Sequence, residues 1–514
     1  MGKLKTSATK KPLNLHAIIL SVLYIFCLLC YGGFHETTLV IAGILVAIPL
    51  LLKRTAIRIS INQCLFFLFA VWYFCCSLQG GFFIEHVSRG LMPFIVLLFW
   101  IYISNTPGLK KDAIIIITKA SLFVAVIAII HCLAQSVADR TLYRLTFPFD
   151  YSNVCGIYFA VCFFWSKNIS SRGFAYWKFI FLAAVVLSQS VGALGLLVLA
   201  FTYQLLKNKK YFMVLGEIAI FGIFAFLLRD RLLESSATFL ERLLQIQDGI
   251  SCISDNPIAG IGAGKWQFAK WYYQTGFYGA LFLHSSIFEL GVNSGIVGMA
   301  LFATVCFFEI KRAFMHKHNF IPAVIIIAHG LMDFSFSFIT ILAALVLSLA
   351  DAEQEKSFAV NVFSVKISSA ALCLLFVFLL TGNVQSTAFQ RNISLGMTAG
   401  QACETFEESL FLKNSVKSEQ SLCAHLYREK HYKNSISFDN YKYLPTEMIL
   451  YNSMNMKDGE AYLLDRIRMQ PYNVYLKRLV TAECSESCKE EIKRITQQAI
   501  ENLSFLGKIL YDLI

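Results

Sequence analysis

The apolar residues of this 514-residue chain gather into runs of about 17–25, separated by short polar stretches. That is the length an α-helix needs to cross a hydrocarbon core roughly 30 Å thick. Backbone donors and acceptors inside a bilayer must be satisfied within the segment, so runs of this length are helices. A barrel would instead show short alternating segments of about ten residues. The runs fall near 14–33, 37–52, 61–79, 90–104, 113–134, 152–166, 176–189, 191–206, 212–228, 284–308, 320–337, 339–350 and 367–382. The expectation is an all-α, polytopic transmembrane helix bundle of about thirteen spans. Composition agrees: 57% hydrophobic against 15% charged residues is not the balance of a soluble domain.

Segment 176–206 begins and ends at basic clusters and reads as a hairpin turning at Ser188-Gln189-Ser190, each arm near the short limit for spanning or partly re-entrant. The pair 320–350 is similar. Lys and Arg in the short connections set orientation, because basic residues are retained on the cytoplasmic side. With the N-terminus inside, one side holds about twenty of them, including Lys3 to Lys11, Lys53, Arg54, Arg58, Lys110, Lys111, Lys207 to Lys210, Lys311 and Arg312. The short outer connections hold about three, Arg89, Arg140 and Arg144. An odd number of spans then puts the loop 229–283 and the tail from 384 outside the cytoplasm. Two domains follow: a membrane domain over 1–383 that includes the loop, and a soluble helical domain over 384–514. The net charge of +12 is mainly this topology signal and does not imply nucleic-acid binding.

The basic start before the first apolar run has no small-residue cleavage site and is expected to be a retained first helix. Most of the fifteen cysteines lie in apolar runs and read as small packing residues. Cys403, Cys423, Cys484 and Cys488 lie in the tail, where an oxidising compartment would allow one or two disulfides. No cysteine spacing resembles a metal site, and no metal or cofactor is expected. In the tail, Ile492, Ile495, Ile500, Leu503, Leu506 and Leu510 recur at helical spacing, and Met469 to Asn473 reads as a turn between two helices.

Polar residues kept in a membrane protein against their cost concentrate on the outer side. The loop carries Arg242, Lys265 and Lys270 beside the Gly-rich run NPIAGIGAGKW at 256–266. Guanidinium forks and turn N–H groups there could hold an anion such as a lipid diphosphate; a purely structural turn is the bland reading. A nucleotide loop is excluded by the lack of a strand-helix unit around Gly260, Gly262 and Gly264. Gly291, Gly295 and Gly298 form a small-residue stripe suited to close helix packing. His284 sits at the predicted lip of a helix, where a proton acceptor near neutral pH would be within reach of water and headgroups, although a lone interfacial histidine is usually structural. Glu289 and Asn293 are i and i+4 on one helix, and His329 and Asp333 repeat that spacing on the next span; each pair either locks the bundle or walls a site.

The stretch RLLQIQDGISCISDNPIAGIGAGKW from Arg242, followed by HSSIFELGVNSGIVGMALF from His284, resembles the signature region of the O-antigen ligase superfamily. That superfamily comprises lipopolysaccharide O-antigen ligases, glycan polymerases and bacterial protein O-oligosaccharyltransferases. Arg242, fifteen residues before Pro257, then Gly260, Gly262, His284, Glu289 and Gly291 fit its pattern, with longer spacing to Gly295 and Gly298. YRLTFPFDYSNVCG at 143–156 is similar to an outer-loop element with an Arg and a Pro-Asn pair, Arg144 and Asn153 corresponding. Tyr151-Ser152 stands where the protein-glycosylating branch has Gln-Pro, and Val191 where an Arg is common. HGLMDFSF at 329–336 resembles a segment of members with a soluble C-terminal extension.

The resemblance implies a multi-pass protein of the bacterial inner membrane, with a periplasmic tail, that needs no metal and inverts the sugar it transfers from undecaprenyl diphosphate. The diphosphate would lie on Arg144, Arg242 and Lys265, and His284 with Arg242 would be catalytic. Asn153, Glu289, His329 and Asp333 would wall the site. The acceptor would be a pilin-like protein hydroxyl, or alternatively a lipid A-core or a growing glycan chain. A flippase for the lipid-linked glycan is the reading from a different class; the absence of an internal repeat and the one-sided placement of polar groups weigh against it.

Overall fold

The computed structural model describes residues 15–81, 83–169, 174–227, 229–316, 320–350, 357–429 and 456–513. The N-terminal basic cluster lies outside them. The fold is all-α: each of the thirteen apolar runs forms helix. These are α1 (Leu15–Leu29), α2 (Glu36–Leu52), α3 (Ile61–Ser77), the consecutive α4 (Ile84–Gly90) and α5 (Met92–Ser104), α6 (Leu109–Asp139), α7 (Ser152–Trp165), α8 (Phe174–Leu187), α9 (Val191–Lys207) and α10 (Tyr211–Leu227). After the 229–283 loop come α13 (Ser286–Met315), α14 (Ile321–Gly330), α15 (Ile339–Leu349) and α16 (Val362–Ser394). Among the described residues four helical stretches are by themselves long and apolar enough to cross a membrane: Ile84–Ser104, Leu109–Asp139, Ser286–Met315 and Val362–Ser394.

Helix α7 is enclosed nearly all round, with Tyr158, Phe159, Phe164 and Trp165 fully buried; it packs between α8, α9 and α14. Being apolar on every face, as a bundle-centre helix must be, it shows no amphipathic signal. By contrast α6 and α16 keep large apolar side chains such as Phe123, Ile130 and Leu374 outward, as lipid-facing helices do. The two halves of the bundle are also tied by a short antiparallel ribbon, β1 (Ile57–Ser60) and β2 (Ser357–Val360), with Ile57 opposite Val360. Its partners are some 300 residues apart, so neither four-residue segment carries a local hairpin signal.

The 229–283 loop is a long helix, α11 (Arg229–Asp255), then the Gly-rich turn and α12 (Trp266–Tyr273). α11 lies against α13. Helix α16 runs well past the expected end of the last span, and the tail folds back on it as α17 (Ala399–Glu408), α18 (Leu410–Lys413) and α19 (Val416–Arg428). A second group follows: α20 (Met456–Met469), α21 (Val474–Glu483), α22 (Glu486–Glu501) and α23 (Phe505–Leu513). The turn expected at 469–473 separates α20 from α21, Asn473 Oδ1 accepting from the N–H of Leu476 at 3.1 Å. α23 rests on α11, so both parts of the tail touch the membrane domain. The four tail cysteines are buried, Cys403 and Cys423 in the first part of the tail and Cys484 and Cys488 in the second.

Candidate active site

The Gly-rich turn and α13 explain each other. α13 breaks at Gly295, whose φ of 66° and ψ of −173° lie outside the helical region, leaving backbone groups of that turn without helical partners. The turn supplies them: Ile261 N–H donates to Val292 O at 2.8 Å and Gly262 N–H to Asn293 O at 3.1 Å, while Ile296 N–H donates to Pro257 O at 2.8 Å. A Cβ on Gly260 would stand 2.3 Å from Val292 O, and one on Gly295 2.1 Å from Ile258 O. Two of the turn's N–H groups are thus spent on α13 and are not an anion cradle. Lys265, expected at the diphosphate, is buried and donates to Gln79 O in the connection between α3 and α4. That burial lowers its pKa to about 8.

The polar cluster forms instead where the α14–α15 connection meets the start of α13. α14 ends at Gly330, so Asp333 lies beyond the helix and the expected i, i+4 pairing with His329 is replaced by two separate roles. His329 Nδ1 pairs with Ser335 Oγ at 2.5 Å. Asp333, fully buried, becomes the acceptor at the centre. Tyr151 Oη donates to both its oxygens at 2.9 and 3.0 Å, and Asn153 Nδ2 to Oδ2 at 2.7 Å. Arg242 Nη2 lies 3.3 Å from Oδ2, and His284 Nδ1 3.3 Å from Oδ1. Asp333's own backbone carbonyl accepts from Ser286 N–H at 3.0 Å and Ser286 Oγ at 2.7 Å, fastening the connection to the first turn of α13. A carboxylate surrounded by donors is an orienting centre, since it fixes the geometry of each group that points at it.

Each partner is placed by a different element. α11 contributes Arg242, whose Nη1 donates to Met332 O at 2.8 Å while Nε is buried with no hydrogen-bond partner among the described residues. One turn on, Gln245 Oε1 accepts from the backbone N–H of His284 at 3.1 Å. His284 precedes Ser285, the N-cap of α13. Tyr151 and Asn153 stand at the start of α7, and Asn153 Oδ1 accepts from Arg144 Nη2 at 3.1 Å. Arg144 Nε donates to Ser188 O at 3.2 Å, in the hairpin turn between α8 and α9. The structure therefore brings Arg144, Asn153, Arg242, His284 and Asp333 into one hydrogen-bonded group and adds Tyr151, Gln245 and Ser286. The ring of Phe334 backs it, 4.7 Å from Tyr151 and 5.2 Å from His284 between centroids.

Glu289 and Asn293 belong to a neighbouring feature. They line an elongated apolar cavity of about 100 Å³ that Ser286, Arg89 and Tyr73 also border. Glu289 Oε2 accepts from Ser337 Oγ at 3.4 Å and Asn293 Nδ2 donates to Tyr73 Oη at 3.1 Å. Ser286 belongs both to the cavity wall and to the Asp333 cluster, so the two adjoin.

Chemically, the cluster joins a histidine held by its backbone and Nδ1, two arginines and a buried carboxylate, with an apolar cavity alongside. Such a set suits deprotonation of a hydroxyl beside a departing anion. No curated protein matches the chain. Residues 154–303, which carry Arg242, Gln245, Lys265, His284 and Glu289, match the family model described as O-antigen ligase, so this part of the chain, with most of the cluster, is similar to that family.

Proposed function

We propose that this membrane protein, an enzyme of the O-antigen ligase type, transfers a glycan from undecaprenyl diphosphate to a hydroxyl on the periplasmic side, and that the acceptor is a Ser or Thr of a protein such as a pilin. The observation that carries this reading is the convergence of His284, Arg242, Tyr151 and Asn153 on Asp333. With Nδ1 turned to Asp333, His284 has Nε2 left to face an acceptor hydroxyl. The hydroxyl proton passes to Nε2 as the oxygen attacks the anomeric carbon from the face opposite the diphosphate. The bond from that carbon to the diphosphate oxygen breaks, and the electron pair leaves with the lipid. Asp333 stabilises the imidazolium formed, and Arg242 and Arg144 offset charge growing on the leaving group. The soluble tail and the HGLMDFSF segment support the protein acceptor. Tyr151-Ser152 in place of Gln-Pro supports a lipid A-core ligase or a polymerase, the alternative acceptors.

The test is glycan transfer by purified protein in nanodiscs, given a labelled undecaprenyl-diphosphate oligosaccharide with pilin-type protein and lipid A-core in competition. Label on protein supports the reading; label on lipid A-core, or longer lipid-linked chains, moves it to a ligase or a polymerase. His284→Ala and Arg242→Ala should each lower transfer by at least about 100-fold at unchanged protein level. Label carried across the bilayer without transfer would replace the enzyme with a flippase.

A further inference from the structure

Arg89, one of the few basic residues in the outer connections, lies outside the Asp333 cluster but on the wall of the adjoining cavity. Its Nε donates to Glu36 Oε1 at 2.8 Å, and its guanidinium lies 5.0 Å from the centroid of Phe34. Glu36 is buried at the start of α2, and its other oxygen accepts from Lys417 Nζ of the tail at 2.6 Å. The same tail segment is clamped by a second buried carboxylate. Glu85 accepts from Ser415 Oγ at 2.6 Å, Val416 N–H at 3.0 Å and Lys417 N–H at 3.2 Å, at the N-terminus of α19, where a negative charge is favoured. Phe34 also meets Phe334, the ring behind His284, and Phe282.

We propose that Arg89 is a positioning residue for the lipid-linked donor, set at the polar end of the cavity by Glu36, and that Lys417 makes its placement depend on the docked tail. This rests on the donor being an anionic lipid, as in the function proposed above. With the second oxygen of Glu36 held by Lys417, Arg89 meets this carboxylate through Nε alone, which leaves the rest of its guanidinium for an anionic headgroup. Without Lys417 the Arg89–Glu36 pair is neutral, and Glu36 is free to draw Arg89 into a two-point pair away from the cavity. Without Glu36 two cations face each other unbalanced beside an apolar wall, a costly arrangement that displaces both. The cavity beyond runs beside α13 from Asn293 to Glu309, roughly 24 Å of helix rise. Asn293 Oδ1 and Trp100 Nε1 are buried within its lining without hydrogen-bond partners among the described residues.

The experiment uses full-length protein in nanodiscs. Transfer kinetics and the binding of undecaprenyl diphosphate alone are measured for wild type, Lys417→Ala, Lys417→Arg, Arg89→Ala and the double alanine variant. Lys417→Ala should raise the donor KM and weaken undecaprenyl diphosphate binding about three- to tenfold with kcat within about twofold. Lys417→Arg should restore both, and the double variant should be no weaker than Arg89→Ala alone, because the two residues act through one carboxylate. Unchanged binding in Lys417→Ala, or effects that multiply in the double variant, would overturn the proposal. Binding reads the clasp independently of chemistry: wild type that binds but transfers nothing rejects the glycosyltransferase reading and leaves the clasp to stand or fall on Lys417.

Discussion

Tyr151 carries the residue-scale lesson. Its hydroxyl donates to both oxygens of Asp333 and lies 3.4 Å from His284 Nδ1, so it fixes the angle at which carboxylate and imidazole meet. Tyr151→Phe should lower kcat roughly tenfold and leave donor KM nearly unchanged, since packing on Phe334 survives and only the orienting hydroxyl goes. A raised KM with normal kcat would instead assign Tyr151 to donor binding. The sequence marked Tyr151 only as a departure from a motif, because an aromatic at a membrane edge is commonplace and its partner lies 182 residues away. His284 and Arg242 were legible because they stand at fixed spacings from the Gly-rich turn; Gln245, which acts on His284 through the backbone, has no such mark. A second residue gives a pH dependence. Asp248 on α11 is buried against Thr275 and Tyr278, with Thr275 Oγ1 and Tyr278 Oη donating at 2.7 and 2.8 Å. Desolvation outweighs these bonds and raises its pKa from 3.8 to about 6. A raised carboxyl pKa favours the folded contact while the group is protonated. That contribution, on the order of 3 kcal/mol, is full below about pH 4 and is lost as pH rises through 6. Hydrogen exchange at Thr275 should therefore quicken between pH 4 and 6 beyond the intrinsic rate, and Asp248→Ala should flatten the profile; a flat wild-type profile would refute this.

At the scale of elements, α13 shows what periodicity reads and what it misses. The apolar run at 284–308 led to a helix, and the helix is there. Its break is not readable from the run, because Gly291, Gly295 and Gly298 look alike as a packing stripe and differ only in what approaches them. Gly291 meets Met299 and Ile253, whereas Gly295 receives the backbone of Ile258. The β1–β2 ribbon escaped for the same reason, each strand being too short to carry a pattern without its partner. Gly295→Ala tests the break. Its φ of 66° strains any L side chain, and the added methyl would meet a carbonyl at 2.1 Å, an atom that cannot rotate away. The expected cost is roughly 1–3 kcal/mol for the backbone plus the displacement of the 257–262 turn. Thermal unfolding of the detergent-solubilised variant should shift down by several degrees, with faster hydrogen exchange at Ile261 and Gly262. Wild-type exchange at those two amides would mean that the turn holds without the break.

On the scale of the whole molecule, the question is why the tail reaches the membrane domain in two separate places. α19 is held by Glu85 and Glu36. The last helix, α23, meets α11 where Leu510 packs with Leu244 and, less deeply buried, Leu506 and Leu240. Leu244 adjoins Gln245, the residue that holds the backbone of His284, and lies two positions from Arg242. α23 thus braces the stretch of α11 that carries two parts of the cluster. Leu510→Ala removes a side chain that is 2% exposed, at a cost of about 2–4 kcal/mol to that contact. The membrane helices do not depend on this contact, so the variant should insert and purify normally. If bracing matters, transfer falls about tenfold, chiefly in kcat, as His284 and Arg242 lose their common support, and exchange rises over 240–248. If exchange rises there and transfer stays at the wild-type rate, the bundle holds the cluster unaided, and the role of α23 is confined to anchoring the tail.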